Sequence, residues 1–149
     1  MTISLVSILF ILHFASTWFM TGLIWFVQVV HYPLYDKVGV QSFADYERVH
    51  CALTTYVVAP VMLTELFTGI ALLASRPRFL NILDCGLDLI LLMVIWLSTI
   101  FIADQLHGGL AAAFDPRVHA ALVNWNWLRT VAWSIRALAL CWVLYKALK

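Results

Sequence analysis

The sequence predicts an all-α fold: an integral membrane, antiparallel four-helix bundle with a short amphipathic helix in the first loop. Hydrophobic residues make up 64% of the 149 residues and charged residues 11%, whereas soluble domains average about 25% charged residues. The apolar residues also fall into four runs, each with at least the ~20 residues that cross the hydrocarbon core of a bilayer. A chain of this length is expected to form one domain, residues 1–149.

The four apolar runs define the predicted spans and leave little chain for a soluble domain. They cover residues 3–30, 52–74, 82–103 and 118–148. The first run exceeds the 7–15 apolar residues of a signal-peptide core and has no basic start, so we expect a span and not a cleaved signal. Pro33 is predicted to end the first helix. Phe43, Tyr46 and His50 recur at helical spacing, which predicts the amphipathic helix before the second span.

The charges of the short loops predict the orientation of the chain. One side carries the N-terminus together with four basic residues: Arg76, Arg78, Lys146 and Lys149. The other side carries three: Lys37, Arg48 and Arg117. This excess of Lys and Arg predicts that both termini are cytoplasmic, in the inner (plasma) membrane of a bacterial-type cell. The net charge of +1 and the lack of a basic stretch indicate no nucleic-acid partner, so the lipid bilayer is the expected surrounding.

The three cysteines do not form a redox motif. Cys51 lies near one end of the predicted bundle, whereas Cys85 and Cys141 lie near the other, and no CxxC spacing occurs. A disulfide-exchange enzyme needs two thiols within reach of each other. We therefore exclude a thiol oxidoreductase and interpret the cysteines as small apolar packing residues.

Histidines mark one end of the predicted bundle, which we call the histidine end. His31, His50, His107 and His119 fall where the first span ends, the second begins, the third ends and the fourth begins. Imidazole and carboxylate groups suit the transition metals zinc, iron and copper. Histidines from separate helices also suit haem b. The sequence predicts His31, His50 and His107 as ligands, with Glu47 as a fourth from an ExxH motif.

Other interpretations of the histidine end stay open. Histidines also anchor helices in the headgroup layer through their amphipathic rings, and His119 is the one we expect to be only a surface residue. Direct contact with a substrate is a further alternative. A di-iron bundle would need the ExxH spacing twice and two further glutamates, whereas this chain has it once.

Polar residues within the spans should face the interior of the bundle. At about 100° of rotation per residue they fall into stripes, one on each span. Near the histidine end, Gln28, Asn126 and Arg129 are predicted to bind a cofactor, with Arg129 as the partner of an anion or a haem propionate. Glu65 and Arg136 both lie roughly 22 Å deeper, which predicts a buried ion pair.

A second polar layer follows from the same depths. His13 and Asp88 lie roughly 27 and 28 Å below the histidine end, so they could extend the Glu65–Arg136 pair. A structural interpretation treats this layer as a device that fixes helix register. A functional interpretation treats it as a proton or ion relay. Both require the charges to be paired, because an uncompensated charge in hydrocarbon is costly.

Two stretches resemble known proteins. The runs WFVQVVHYPL, residues 25–34, and NWNWLRTVAWSIRA, residues 124–137, resemble those of small bacterial four-span membrane proteins without an established activity. The size of the chain and the histidine in its first span are also similar to small membrane protoporphyrinogen oxidases that bind haem. That family arranges its tyrosine and histidine differently from His31-Tyr32-Pro33, and its later motifs are not apparent here. The resemblance therefore implies no catalytic residue.

Two classes of function follow from the sequence. The first is a membrane oxidoreductase with a metal or haem at the histidine end, acting on a quinone or another lipid-soluble substrate. The second is a non-catalytic helical subunit or assembly factor of a larger membrane complex. A transporter has less support, because four spans are few unless the chain forms a homo-oligomer and the two halves show no repeat. The sequence identifies no catalytic residue.

Overall fold

The computed structural model describes residues 4–149, which form helices and connecting turns without a strand. Ile3, the first residue of the first predicted span, lies outside the described residues. Four helical rods are long and apolar enough to cross a membrane: Leu5–Lys37, Val40–Ser75, Ile82–Ala112 and Pro116–Ala147. The all-α fold class is therefore confirmed.

Two of the rods are composite. The first joins α1 (Leu5–Phe26) to a π-helical segment (Val27–His31) and a 3-10 helix (Tyr32–Lys37). The third joins α3 (Ile82–Ser98), a second π-helical segment (Thr99–Ala103) and α4 (Asp104–Ala112). The second and fourth rods are single helices, α2 (Val40–Ser75) and α5 (Pro116–Ala147). Both π segments therefore lie towards the histidine end, and wide π turns of this kind are frequent at functional sites.

Local sequence explains where the helices begin. The Asn81 side chain accepts a hydrogen bond from the Asp84 backbone N–H, and the Asp84 carboxylate accepts one from the Asn81 backbone N–H, which completes a capping box at the start of α3. The Asp115 side chain caps α5, whose first residue is Pro116. Proline is favoured at this position because its missing N–H would have no helical partner.

The helices extend beyond the predicted spans at the histidine end. Pro33 does not end the first rod, because it lies in the first turn of the 3-10 helix, where a missing N–H is tolerated. The predicted amphipathic helix around Phe43 is not a separate element but forms the first turns of α2, which runs unbroken to Ser75. An apolar run marks only the part of a helix that fits into hydrocarbon. These helices continue past their apolar runs by further helical turns that contain more polar residues.

The contacts between rods fix their relative directions. At the histidine end, the end of the first rod contacts the beginning of α2 through His31 and His50. It also contacts the end of the third rod through Tyr32 and His107. Large apolar side chains are exposed around the outside of the bundle, and most of the charged groups within the spans lie inside it. The interior of the bundle therefore combines apolar core clusters with buried polar groups, whereas its exterior is largely apolar.

Candidate metal site and adjoining cavity

Three potential metal ligands converge at the histidine end. Glu47 and His50 lie on one face of α2, because residues three apart in a helix are neighbours. His107 approaches from α4. One donor atom from each of the three lies within 4.8 Å of the other two. Metal bonds of ~2.0–2.2 Å place neighbouring donors about 3–3.5 Å apart, so a modest movement of the side chains would close the group around an ion.

Glu47 and His107 form a short buried pair. Glu47 is fully buried, and its Oε1 lies 2.5 Å from Nδ1 of His107. The other ring nitrogen of His107, Nε2, is hydrogen-bonded to the Tyr32 hydroxyl at 2.9 Å. Oε2 of Glu47 and the hydroxyl of Tyr35 are both buried, and neither has a hydrogen-bond partner within residues 4–149. The Tyr35 hydroxyl lies beside the Glu47 carboxylate, so a small rotation of the phenol would let it donate to Oε2 and satisfy both groups.

The remaining histidines surround this group. His31 Nε2 is 3.0 Å from His50 Nδ1, so His31 lies beside His50 and outside the group of three donors. Its role as a ligand stays a prediction. His119 is half-buried, and its Nε2–H donates to the Tyr32 carbonyl oxygen at 2.7 Å. The prediction that His119 is only a surface residue is therefore wrong, because His119 is hydrogen-bonded to the backbone of the first rod at Tyr32.

The three predicted cofactor-binding residues form one hydrogen-bonded chain beside the site. The Asn126 amide donates to Gln28 Oε1 at 2.8 Å, and Nη2 of Arg129 donates to Asn126 Oδ1 at 2.6 Å. Nη2 of Arg129 also donates to the Tyr32 hydroxyl at 3.3 Å. Tyr32 therefore links Arg129 to His107, and it is a central residue that the sequence analysis missed.

A large cavity adjoins the candidate metal site. Its volume is about 520 Å³, within the range of small-molecule sites. His50, His107 and Arg129 are among its polar lining residues, and most of the remaining wall is apolar.

Phe26 and Leu53 line the cavity and are also exposed on the outside of the bundle, so the cavity opens between the first and second rods. The π segments contribute Val27, His31, Thr99 and Ala103 to the wall.

Comparison of this chain with protein families, with curated proteins and with solved structures finds no match. The resemblance to small bacterial four-span proteins therefore rests on the two sequence runs alone. Both runs lie at the site, since the first contains Gln28 and His31 and the second contains Asn126 and Arg129.

A separate polar cluster lies deeper in the bundle. Nη1 of Arg136 donates to Glu65 Oε1 at 2.5 Å, so the predicted partners are in contact. Nε of Arg136 also donates to Asp88 Oδ1 at 2.9 Å, and His13 Nε2 lies 3.1 Å from the other oxygen of Asp88. The Trp133 indole N–H donates to both oxygens of Glu65 at 3.2 Å. This cluster joins all four rods, because the indole and the guanidinium both come from α5 and Asp88 bridges α5 to His13.

Proposed function

We propose that this chain is a metal-dependent membrane oxidoreductase that acts on a lipid-soluble substrate, such as a quinone, in the cavity. The metal would bind at Glu47, His50 and His107. The observation that carries this proposal is the convergence of these three donors within 4.8 Å beside an apolar cavity of about 520 Å³. Two imidazoles and one carboxylate are the ligand set of many iron(II) oxygenases. Zinc enzymes also use two histidines and a glutamate, but zinc has no redox chemistry, so the oxidoreductase activity would need iron or copper at this site.

The hydrogen bonds around the site support a specific binding mode. A metal ion would replace the proton that Glu47 Oε1 and His107 Nδ1 share across 2.5 Å. His107 would then donate its Nε2–H to the Tyr32 hydroxyl, the kind of outer contact that orients metal-bound histidines. The buried Oε2 of Glu47 would be available as a second carboxylate ligand. His50 contacts His31 through Nδ1 at 3.0 Å, whereas its Nε2 makes a longer contact of 3.4 Å with the Thr54 hydroxyl, which a metal ion would displace.

The contacts favour a metal ion over haem b. The ring centroids of His31 and His50 are 4.6 Å apart, and those of His50 and His107 are 5.8 Å apart. His107 is also hydrogen-bonded to a carboxylate on one side and a phenol on the other. Ligation of haem b by two of these histidines would require a flat slot between their rings, which would break most of these contacts.

Metal analysis of the purified protein tests this proposal. We expect about one iron, zinc or copper ion per chain after purification or after loading and removal of the excess, and no Soret band. Glu47→Gln, His50→Ala and His107→Ala should each lose most of the metal. His119→Ala is the matched control, because it removes an imidazole from the same end outside the donor group and should retain the metal.

A metal-free wild-type protein that also fails to take up these ions on loading would contradict the proposal. So would equal metal contents in the wild type and the three variants. Either result would leave the non-catalytic subunit or assembly factor as the better account. A Soret band that disappears with His31→Ala or His50→Ala would instead favour haem b.

The location of the protein is part of the proposal. The four rods suggest a multi-pass membrane protein, and we propose the inner (plasma) membrane with both termini in the cytoplasm. The support is the excess of Lys and Arg in the loops at the end opposite the histidines. The candidate metal site would then lie at the extracytoplasmic face.

A further inference from the structure

Arg129 is a buried cation that has no acidic partner in the part of the chain that the structure describes. Its side chain lines the cavity and the residue is only 8% exposed. Within residues 4–149, no carboxylate lies at salt-bridge distance from its guanidinium. Arg136, two turns further along α5, is buried to a similar extent but pairs with both Glu65 and Asp88. Of the two buried arginines on α5, Arg136 is therefore compensated and Arg129 has no counter-ion within residues 4–149.

The hydrogen bonds of Arg129 leave part of its guanidinium uncommitted. Nη2 donates to Asn126 Oδ1 and to the Tyr32 hydroxyl, and both acceptors are neutral groups. Within the described residues, neither Nε nor Nη1 of Arg129 donates a hydrogen bond to a side chain or a backbone oxygen. A guanidinium carries five N–H groups and binds carboxylate or phosphate through two of them at once. The free edge of Arg129 is thus suited to an anion.

The rest of the cavity suits an apolar chain. Met20, Met62 and Trp133 line its deep part, and Phe26 and Leu53 lie where it opens to the outside of the bundle. The mouth lies between rods that are long enough to cross a membrane, so an amphiphile could enter sideways from the lipid. Neither a small polar metabolite nor an uncharged hydrocarbon would use both the apolar wall and Arg129.

We infer that the cavity binds an amphipathic anion, whose carboxylate or phosphate head is held by Arg129 and whose apolar chain lies along the apolar wall between Met62 and the opening at Leu53. This rests on the proposed function and deepens it, because it narrows the lipid-soluble substrate to an amphipathic anion in place of an uncharged quinone. The argument uses Arg129 and the cavity walls but none of the three metal ligands. The head group could belong to a free amphiphile or to a phospholipid.

A displacement assay with a fluorescent fatty acid tests this inference. The wild-type protein would be placed in phosphatidylcholine nanodiscs with cis-parinaric acid as the probe. Palmitate and hexadecyl phosphate should displace the probe, whereas hexadecanol, with the same chain and no charge, should not. Displacement by added phosphatidylglycerol would identify a phospholipid head group as the source, and its failure alongside effective palmitate would identify a free amphiphile.

Variants connect the binding to Arg129. Arg129→Gln should weaken palmitate binding about tenfold to a hundredfold, the usual range for a charge-assisted hydrogen bond, and Arg129→Lys should retain part of it. Arg117→Gln is the matched control, because it removes a positive charge from the exposed start of the same helix and should bind like the wild type. Val58→Trp keeps Arg129 but fills the cavity, so it should abolish binding even if Arg129→Gln does not fold.

Three results would overturn the inference. They are displacement by hexadecanol as strong as by palmitate, unchanged binding in Arg129→Gln, and unchanged binding in Val58→Trp. Metal analysis of the same samples separates this inference from the proposed function. Metal-free protein that binds palmitate through Arg129 would support the inference and contradict the metal site. Metal-loaded protein that does not bind palmitate would support the metal site and contradict the inference.

Discussion

Glu65 and Arg136 show how well a buried contact can be predicted from the depth of each residue along its helix, calculated from the rise per residue. Both residues were placed at one level by counting helical rise, and the structure brings Nη1 of Arg136 to 2.5 Å from Glu65 Oε1. The same counting put Asp88 deeper, yet Asp88 also accepts from Arg136 at 2.9 Å. An arginine side chain spans more than one helical turn, so depth estimates from Cα positions cannot exclude a partner in the next layer.

The first prediction concerns this buried pair. Glu65→Gln should lower the free energy of unfolding by about 3–5 kcal/mol, because it leaves part of a buried guanidinium uncompensated. Arg136→Gln should cost more, since it leaves both Glu65 and Asp88 without their shared cation. Denaturant unfolding in micelles would measure both values.

The control for this pair is Lys146→Gln at the partly exposed end of α5. Its ion pair with Asp84 should contribute no more than about 1 kcal/mol. A double-mutant cycle of Glu65→Gln and Arg136→Gln should show strong coupling. Additive losses would count against the contact.

The second prediction contrasts the two buried arginines. Arg129→Gln should leave the free energy of unfolding unchanged or slightly raised, because it removes a buried charge that has no counter-ion among the described residues. Arg136→Gln should be strongly destabilising, although both changes remove one guanidinium from α5. Parallel unfolding curves would compare the two variants. A loss in Arg129→Gln as large as that in Arg136→Gln would show that its charge is compensated within the protein.

At the scale of the helices, apolar runs predict how many rods form but not their ends or internal distortions. The run over residues 82–103 marks the membrane-length part of the third rod, whereas the rod extends to Ala112 through a π segment, Thr99–Ala103. A π segment adds one residue to a turn and so rotates the side chains that follow it, but it leaves the amino-acid composition of the run unchanged, so composition carries no sign of it. The direction of His107 depends on this segment and could not be derived from the sequence.

The third prediction concerns the tight packing of neighbouring helices around Gly69. A Cβ atom added at Gly69 would lie 3.1 Å from Leu89 and 3.2 Å from His13, so Gly69→Ala should destabilise the protein by about 1–3 kcal/mol through overpacking. Gly22→Ala is the matched control, because a Cβ atom there meets nothing within 4 Å. It should be neutral or stabilising, since alanine favours helix over glycine. Thermal unfolding that ranks the two variants the other way would contradict the packing described here.

At the scale of the whole molecule, topology predicts which residues share an end of the bundle, but not which of them touch. The four loop histidines were placed at one end from the alternation of the spans. Only side-chain geometry selects Glu47, His50 and His107 as the three converging donors and places His31 beside them. The cavity could not be predicted either, because it arises from the space between rods and from both π segments.

The fourth prediction concerns orientation in the membrane. A reporter that is active only in the cytoplasm should be active when fused after Lys149, and one that requires export should be inactive there. The physical reason is the excess of Lys and Arg at the end that carries both termini. A fusion in the loop at Gly39 should give the opposite pattern. An exported C-terminus would reverse the proposed orientation and place the candidate metal site on the cytoplasmic side.

The most direct test of the metal site is anomalous X-ray diffraction from crystals of the protein loaded with zinc or iron(II). We predict one strong peak at the histidine end, about 2.0–2.2 Å from a Glu47 oxygen and from one ring nitrogen each of His50 and His107. The peak should disappear in crystals of His107→Ala and persist in those of His119→Ala. No peak among these three side chains in loaded crystals, or a peak bound by other residues, would contradict the proposed metal-dependent function.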